Sequence, residues 1–205
     1  MMYTVPSFIQ RIFPSLVWRY VQADSVYLTF DDGPVPEATP YVLDLLQDYN
    51  AKATFFCIGD NVRKHPEIYQ RVLDEGHAVG NHTYSHPHAW KTDANTYMSD
   101  IEQAAGYIDS RLFRPPYGKL WPRQAQAISQ TYDVVMWDVL SGDYDPKLTP
   151  QQCLHNVTKH TKAGSVIVFH DSVKAIEKLK IILPKVLQHC HNQGWLMAAI
   201  TSKTK

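Results

Sequence analysis

Short apolar runs alternate along this chain with longer stretches whose apolar positions recur at helical spacing. Residues 26–30 read as a strand, 36–50 as a helix with Val42, Leu43, Leu45 and Leu46 inward, and 53–58 as a second strand. A helix over 61–75 is stopped by Gly76, and the short strand 77–80 leads into a histidine-rich segment. The pattern then predicts a helix over 93–112, a strand end at Phe113, a helix over 122–131 and a strand over 133–139. The remainder reads as a helix over 149–162, a strand over 165–169, a helix over 173–192 with Pro184 as a kink or break, and a last strand over 195–200.

Repeated βα units of this kind define an α/β protein with a mostly parallel sheet covered by helices. The preferred architecture is a distorted, incomplete (β/α) barrel of about seven parallel strands. An open doubly wound sheet is the alternative. Residues 25–205 read as a single catalytic domain, and 1–24 as a segment that caps the barrel with a short helix. The same N-terminal segment carries Phe8, Ile9, Ile12, Phe13, Leu16, Val17 and Trp18, so a weak membrane-surface contact is the competing reading.

Charge and composition narrow the partners. Twenty basic and twenty acidic residues balance to a formal charge of zero, which gives no support to nucleic acid as a partner. No run approaches the ~20 apolar residues of a membrane span. Residues 1–20 lack the charged start, apolar centre and cleavage site of a secretory signal. The expected location is therefore cytoplasmic or membrane-peripheral, or exported if a signal once preceded this chain. Cys57, Cys153 and Cys190 lack metal-binding spacing and read as free thiols.

Five polar segments sit at or near the ends of predicted strands, where functional groups of such folds gather. The first is Thr29-Phe30-Asp31-Asp32-Gly33; neighbouring carboxylates can divide the work, one holding a cation and the other serving as a base. Asp-Gly is also an ordinary turn pair. In the second, His82 and His86 are spaced to share one face of a helical turn, and with one carboxylate they make a three-ligand, open metal site. One divalent ion is expected; zinc suits the nitrogen and oxygen donors best, with cobalt or nickel as alternatives. Arg114, stiffened by two prolines, can hold a carboxylate, and the Tyr117 amide can face a developing oxyanion. His170 follows an apolar strand and titrates in the range an acid needs, with Asp143 and Asp171 both candidates to orient it. Tyr84, Trp90, Tyr117, Trp121 and Tyr144 are aromatic residues near the expected mouth; Tyr117 and Tyr144 are the two expected to meet a sugar.

In this order the segments resemble the NodB-homology polysaccharide deacetylases, carbohydrate esterase family 4, over about residues 25–200. The likeness implies a NodB-like fold and removal of N-acetyl groups from N-acetylglucosamine-containing glycan. By resemblance Asp31 is the base, Asp32, His82 and His86 hold the metal, and Arg114 orients Asp31. The Tyr117 amide would stabilise the oxyanion, and His170 would be the acid, tuned by Asp143. Two segments depart from the family pattern: Leu140 stands where an aspartate is common, Tyr144 where a tryptophan is, and Val168 where a leucine is. Tyr144 and Val168 would line the acyl pocket, so these changes bear on acyl and sugar preference. An O-acetyl esterase and a lipid-linked sugar deacylase or deformylase are the rival activities.

Overall fold

The structure, a computed structural model, describes residues 13–21 and 24–202. Its centre is β1 (Ser25–Asp31), all seven residues of which are buried. The cause is pairing on both edges: β2 (Thr54–Cys57) lies on one side and β7 (Val166–His170) on the other, both parallel. The last strand, β8 (Leu196–Met197), pairs with the first residues of β1. A parallel strand covered on both faces must be apolar almost throughout, which is why residues 26–30 showed so little alternation.

The two faces of β1 nevertheless differ. Val26, Leu28 and Phe30 join a core built with helix residues such as Val42, Leu46, Leu179 and Leu183. Tyr27 belongs to a separate cluster with Phe56, Leu112, Val135 and Val166, contributed by strands around the barrel. With a side-chain period of two, Thr29 and Asp31 share the inner face with Tyr27. The inner face thus ends in a carboxylate at the mouth.

The sheet continues outward from β2 through β3 (Ala78–Asn81), β4 (Leu112–Phe113) and β5 (Asp133–Val134), and from β7 to β6 (Val139–Leu140). All these pairs are parallel. Among the described residues seven helices pack around it: α1 (Thr39–Asp48), α2 (Gly59–Lys64), α3 (Pro66–Asp74), α4 (Ala94–Ala105), α5 (Pro122–Ile128), α6 (Pro150–His160) and α7 (Ile176–Asn192). The incomplete parallel barrel expected from the sequence is the observed architecture.

Several element boundaries differ from the sequence pattern, each for a local reason. The helix expected over 61–75 is two helices, because His65 precedes Pro66 and leaves helical geometry at φ −131°. The helix expected over 93–112 ends at Ala105. Ser110 then donates its hydroxyl to the Val79 carbonyl and accepts from the Leu112 N–H, which steers the chain into β4. The helix through Pro184 is unbroken. The carbonyl that this proline leaves without its helical donor, that of Lys180, accepts from the Tyr41 hydroxyl at 3.4 Å.

The stretch 133–139 is not one strand. Its start pairs with β4 and its end with β7, so one short piece of chain supplies both edges of the sheet. Val17 enters between them: its N–H donates to the Val134 carbonyl at 2.9 Å, and the Met136 N–H donates to its own carbonyl at 2.7 Å. Residues 13–20 turn and then run extended, with bridges from Val17 to Val135 and from Arg19 to Ser165, and the rest of the segment expected to hold the capping helix, residues 1–12, lies outside the described residues. Leu16 and Trp18 are buried in the core and do not face outward. Phe8, Ile9 and Ile12 lie outside the described residues. No helix among the described residues is long and apolar enough to cross a membrane. Cys57, Cys153 and Cys190 are buried free thiols.

Candidate active site

Strand ends converge on a cleft of about 780 Å³, lined among others by Asp31, Asp32, His82, His86, Tyr117 and His170. Asp31 closes β1, and Arg114 follows β4 into the barrel interior. The guanidinium Nη1 donates to Asp31 Oδ1 at 2.7 Å and to Thr29 Oγ1 at 2.7 Å. Its Nε donates to the Val135 carbonyl and its Nη2 to that of Met136, while the group stacks 4.1 Å from the Phe56 ring centroid. Arg114 has no exposed surface. Burial lowers its pKa, and the charge and hydrogen bond of Asp31 oppose that shift. Four of its five N–H donors thus end on protein acceptors, and the Asp31 carboxyl is held facing one way.

Asp32 leaves β1 in the left-handed region, φ 82°. Its carbonyl accepts from Asn61 Nδ2 at 2.8 Å, and the next residue, Gly33, donates its N–H to Asp171 Oδ1 at 3.1 Å. Asp32 Oδ1 lies 3.3 Å from His86 Nε2 and 3.7 Å from His82 Nε2. Burial opposes its charge, but the His86 hydrogen bond and the neighbouring imidazoles outweigh burial and hold it well below the usual carboxylate range. Ligand atoms from these three residues lie within 4.8 Å of one another, the one such group among the described residues.

The donors fit a divalent cation. His82 Nδ1 sits 2.7 Å from the Arg114 carbonyl. A carbonyl can only accept, so Nδ1 carries the proton and Nε2 presents its lone pair toward Asp32. Burial lowers the His82 pKa to about 4, so the ring is neutral, as a ligand must be.

The histidine segment is not the helical turn its spacing suggested. Residues 82–86 form a loop in which Thr83 (φ 67°) and His86 (φ 58°) are both left-handed. Asn81 Oδ1 accepts from the Thr83 N–H, Thr83 Oγ1 from the His86 N–H, and Asp100 from the N–H groups of Tyr84 and Ser85. Asn81 and Asp100 thus shape the loop that aims His86. Nothing in their sequence context marked them, since an Asn ending a strand and an Asp on a helix face are ordinary residues.

On the opposite wall, His170 is the last residue of β7. Asp143 Oδ1 takes its Nδ1 proton at 2.8 Å and Oδ2 takes its backbone N–H at 2.8 Å. Burial disfavours the imidazolium, but Asp143, by charge and hydrogen bond and with help from Asp32 and Asp31, raises the pKa to about 9. Asp171, the other residue considered for orienting His170, does something else. It accepts from Thr39 Oγ1 at 2.6 Å and from the Gly33 N–H, on the far side of the metal-facing loop.

Tyr117 is left-handed at φ 60°, and its N–H has no protein acceptor among the hydrogen bonds of the described residues. Its ring meets that of His86 edge-on at 4.7 Å. Tyr144, its ring 4.8 Å from that of His170, lines the cleft with Val168, Leu140 and Trp137. Trp137 was not singled out by the sequence reading. Tyr84 is half-buried against Tyr107, and its hydroxyl donates to Asp60. Trp90 and Trp121 stand outside the cleft.

A family model described as polysaccharide deacetylase matches residues 19–137. One Bacillus cereus peptidoglycan-N-acetylglucosamine deacetylase is 39% identical over 170 residues, 75% of this chain and 61% of that protein; this chain therefore spans about three fifths of that relative's length. A second from the same species is 33% identical over 86% of each chain. The chitooligosaccharide deacetylase of Azorhizobium caulinodans is 32% identical over 72% of this chain and 73% of its own. A solved peptidoglycan N-acetylglucosamine deacetylase superposes with a TM-score of 0.88 at 30% identity, covering 98% of this chain and all of that one.

Proposed function

The chain belongs to the polysaccharide deacetylase family, and we propose that it removes N-acetyl groups from an N-acetylglucosamine-containing glycan of the peptidoglycan or chitin type. Asp32, His82 and His86 would hold one divalent ion, and zinc suits two neutral imidazoles and a carboxylate best. When bound, such an ion supplies Lewis acidity and lowers the pKa of a coordinated water from ~15.7 towards ~7.

The remaining chemistry falls to the chain. Asp31, aimed by Arg114, accepts the proton of the attacking water. The Tyr117 N–H donates to the amide oxygen as that oxygen becomes anionic. His170, whose Nδ1 proton is fixed on Asp143, presents Nε2 to the departing nitrogen and protonates it. Water adds to the acyl carbon, the C–N bond breaks, and the products are acetate and an amino sugar. Val168 and Tyr144 lie where they would border the acetyl methyl.

The observation that carries this reading is the pairing of each titrating group with a fixed counter-charge. Asp31 has Arg114 and His170 has Asp143, in the one cleft that also holds the ligand triad. An imidazolium that persists at neutral pH serves an amine leaving group, whereas an alcohol needs it less. That favours an amidase over an O-acetyl esterase. The test is acetate release from N-acetylglucosamine oligomers by metal-stripped protein, with and without zinc, beside Asp31→Asn. Zinc-dependent release lost in Asp31→Asn is the expected result; release that persists in Asp31→Asn overturns the assignment of the base.

A further inference from the structure

Asp32 meets the ligand histidines from a left-handed backbone, φ 82°. A residue with a side chain keeps that conformation only where its surroundings over-determine it. The Asp171 N–H donates to the Asp31 carbonyl at 3.1 Å, and Asp171 Oδ1 accepts from the Gly33 N–H at 3.1 Å. One residue thus grips the chain on both sides of Asp32. Asn61 Nδ2 donates to the Asp32 carbonyl, and the Ile58 N–H donates to that of Gly33 at 2.9 Å.

The second oxygen of the Asp171 carboxyl is anchored in turn. Oδ2 accepts from Thr39 Oγ1 at 2.6 Å, and the same hydroxyl oxygen accepts from the Val35 N–H at 2.9 Å. Asp171 and Thr39 have no exposed surface, and neither lines the cleft. An apolar side chain would fill such a place at less cost than a carboxyl. What the carboxyl adds is two acceptor oxygens on one carbon, one for the backbone N–H and one for the hydroxyl.

We propose that Asp171, anchored by Thr39, is a positioning residue for the metal centre: it fixes the left-handed turn that aims Asp32 at His82 and His86. The role presupposes the ligand triad of the proposed deacetylase and adds two residues that touch neither ion nor substrate. Packing alone does not account for the arrangement, because the bonds of Asp171 fall on the backbone of residues 31 and 33 and bracket the ligand between them. The histidines have separate supports. His82 rests on the Arg114 carbonyl, and the His86 N–H on Thr83 Oγ1. Loss of Asp171 therefore misplaces one ligand of the three and leaves the other two held. Asp171 also directly follows His170, so the strand that ends in the acid carries the brace of the metal ligand.

The test is zinc affinity, measured by competition with a chromophoric chelator in wild-type protein, Asp171→Ala, Thr39→Val and Thr39→Ser, each kept below its melting temperature. Unfolding of the metal-stripped proteins in urea is measured alongside. Asp171→Ala is expected to raise the zinc Kd about 10–100-fold, the range for losing a group that orients a ligand. Thr39→Val keeps the shape and removes the hydroxyl, so its Kd should rise in the same direction, and Thr39→Ser should restore the wild-type value. The visible absorption of cobalt-loaded protein should change in the first two variants and not in Thr39→Ser. A merely structural role would lower the urea midpoint and leave the Kd alone. A Kd within about twofold of wild type in either Asp171→Ala or Thr39→Val overturns the proposal, and Thr39→Val decides alone if Asp171→Ala does not fold. Wild-type protein that binds zinc but releases no acetate from any oligomer fails the deacetylase reading separately, and the zinc affinities still decide the role of Asp171. Wild-type protein that binds no zinc overturns the ligand triad and this role together.

Discussion

Arg114 and Asp31 form a buried ion pair 2.7 Å long, with no exposed surface on Arg114 and 4% on Asp31. The pair is enclosed by the barrel, and three further guanidinium N–H groups donate to Thr29 and to the carbonyls of Val135 and Met136. One side chain therefore links β1, β4 and the stretch that follows β5. Removing one partner of such a pair leaves a buried charge alone, which costs about 3–5 kcal/mol. Arg114→Met is expected to lower unfolding stability by that amount in a urea titration, and activity with it. A loss under 1 kcal/mol would show that the pair is not enclosed as described.

Asp31 and Asp32 are adjacent yet separable. Asp31→Asn should reduce acetate release by about 10²–10⁴-fold, the range of a positioned base, while zinc still binds stoichiometrically. Asp32→Asn should lose the zinc as well. Metal content by atomic emission and activity on the same preparations distinguish the two, and equal zinc loss in both variants would contradict the division.

The alkaline limb of the pH profile should report His170. Its folded pKa, about 9, lies above the ordinary 6.5, so the protonated form and its stabilising contact with Asp143 are complete below 6.5 and lost as pH rises through 9. A cation at Asp32 cancels the help Asp32 gives and draws the value down somewhat. Asp143→Asn removes the main supporting charge, so the limb of kcat/KM should shift to lower pH. A limb that stays in place would assign it to another group.

Zinc should stabilise the fold independently of turnover. At free zinc about 100 times its Kd, the gain in unfolding free energy is expected to be about 2.7 kcal/mol. A thermal melt of chelator-treated protein with and without zinc reads this directly. His82→Ala should abolish the increment, and an increment that survives would place the ion elsewhere.

Gly33 has no room for a side chain. A Cβ there would meet Asp171 Oδ2 at 2.0 Å. Gly33→Ala should therefore displace the loop that carries Asp32 and cost about 1–3 kcal/mol. Zinc affinity should fall with stability; unaltered zinc binding would mean that Asp171 does not hold this loop.

The parallel barrel was legible because strands buried on both faces announce themselves as apolar runs, and because chemistry collects at their carboxyl ends. Asp31, Asp32, His82, His86, Arg114, Asp143 and His170 were all named from the five motifs and the family they resemble, and the structure brings them to one site. The backbone around His82 and His86 was not legible: a separation of four residues fits a helical turn and a left-handed loop equally well. The choice was made by Asn81 and Asp100, long-range partners that no local pattern reveals. Asp143 and Asp171 were indistinguishable from residue pattern alone, since each stands close to a strand end, and only the family resemblance selected Asp143. The division of 133–139 depended on Val17, which arrives from over a hundred residues away. Trp90 and Trp121 lie 31 positions apart in sequence, and their contact appears only when the loops meet.

The position of β1 at the middle of the sheet has a consequence for biosynthesis. Tyr27 pairs with Val166, so the most apolar neighbour of β1 is made well over a hundred residues after it. At ribosomal speeds of ~5–20 residues per second, β1 waits roughly seven to thirty seconds for β7. During that interval one of its edges is an unpaired, nearly uncharged strand, the kind of segment that recruits other nascent chains. The yield of this protein in cells should therefore depend more on ribosome-associated chaperones than on the stability of the finished fold.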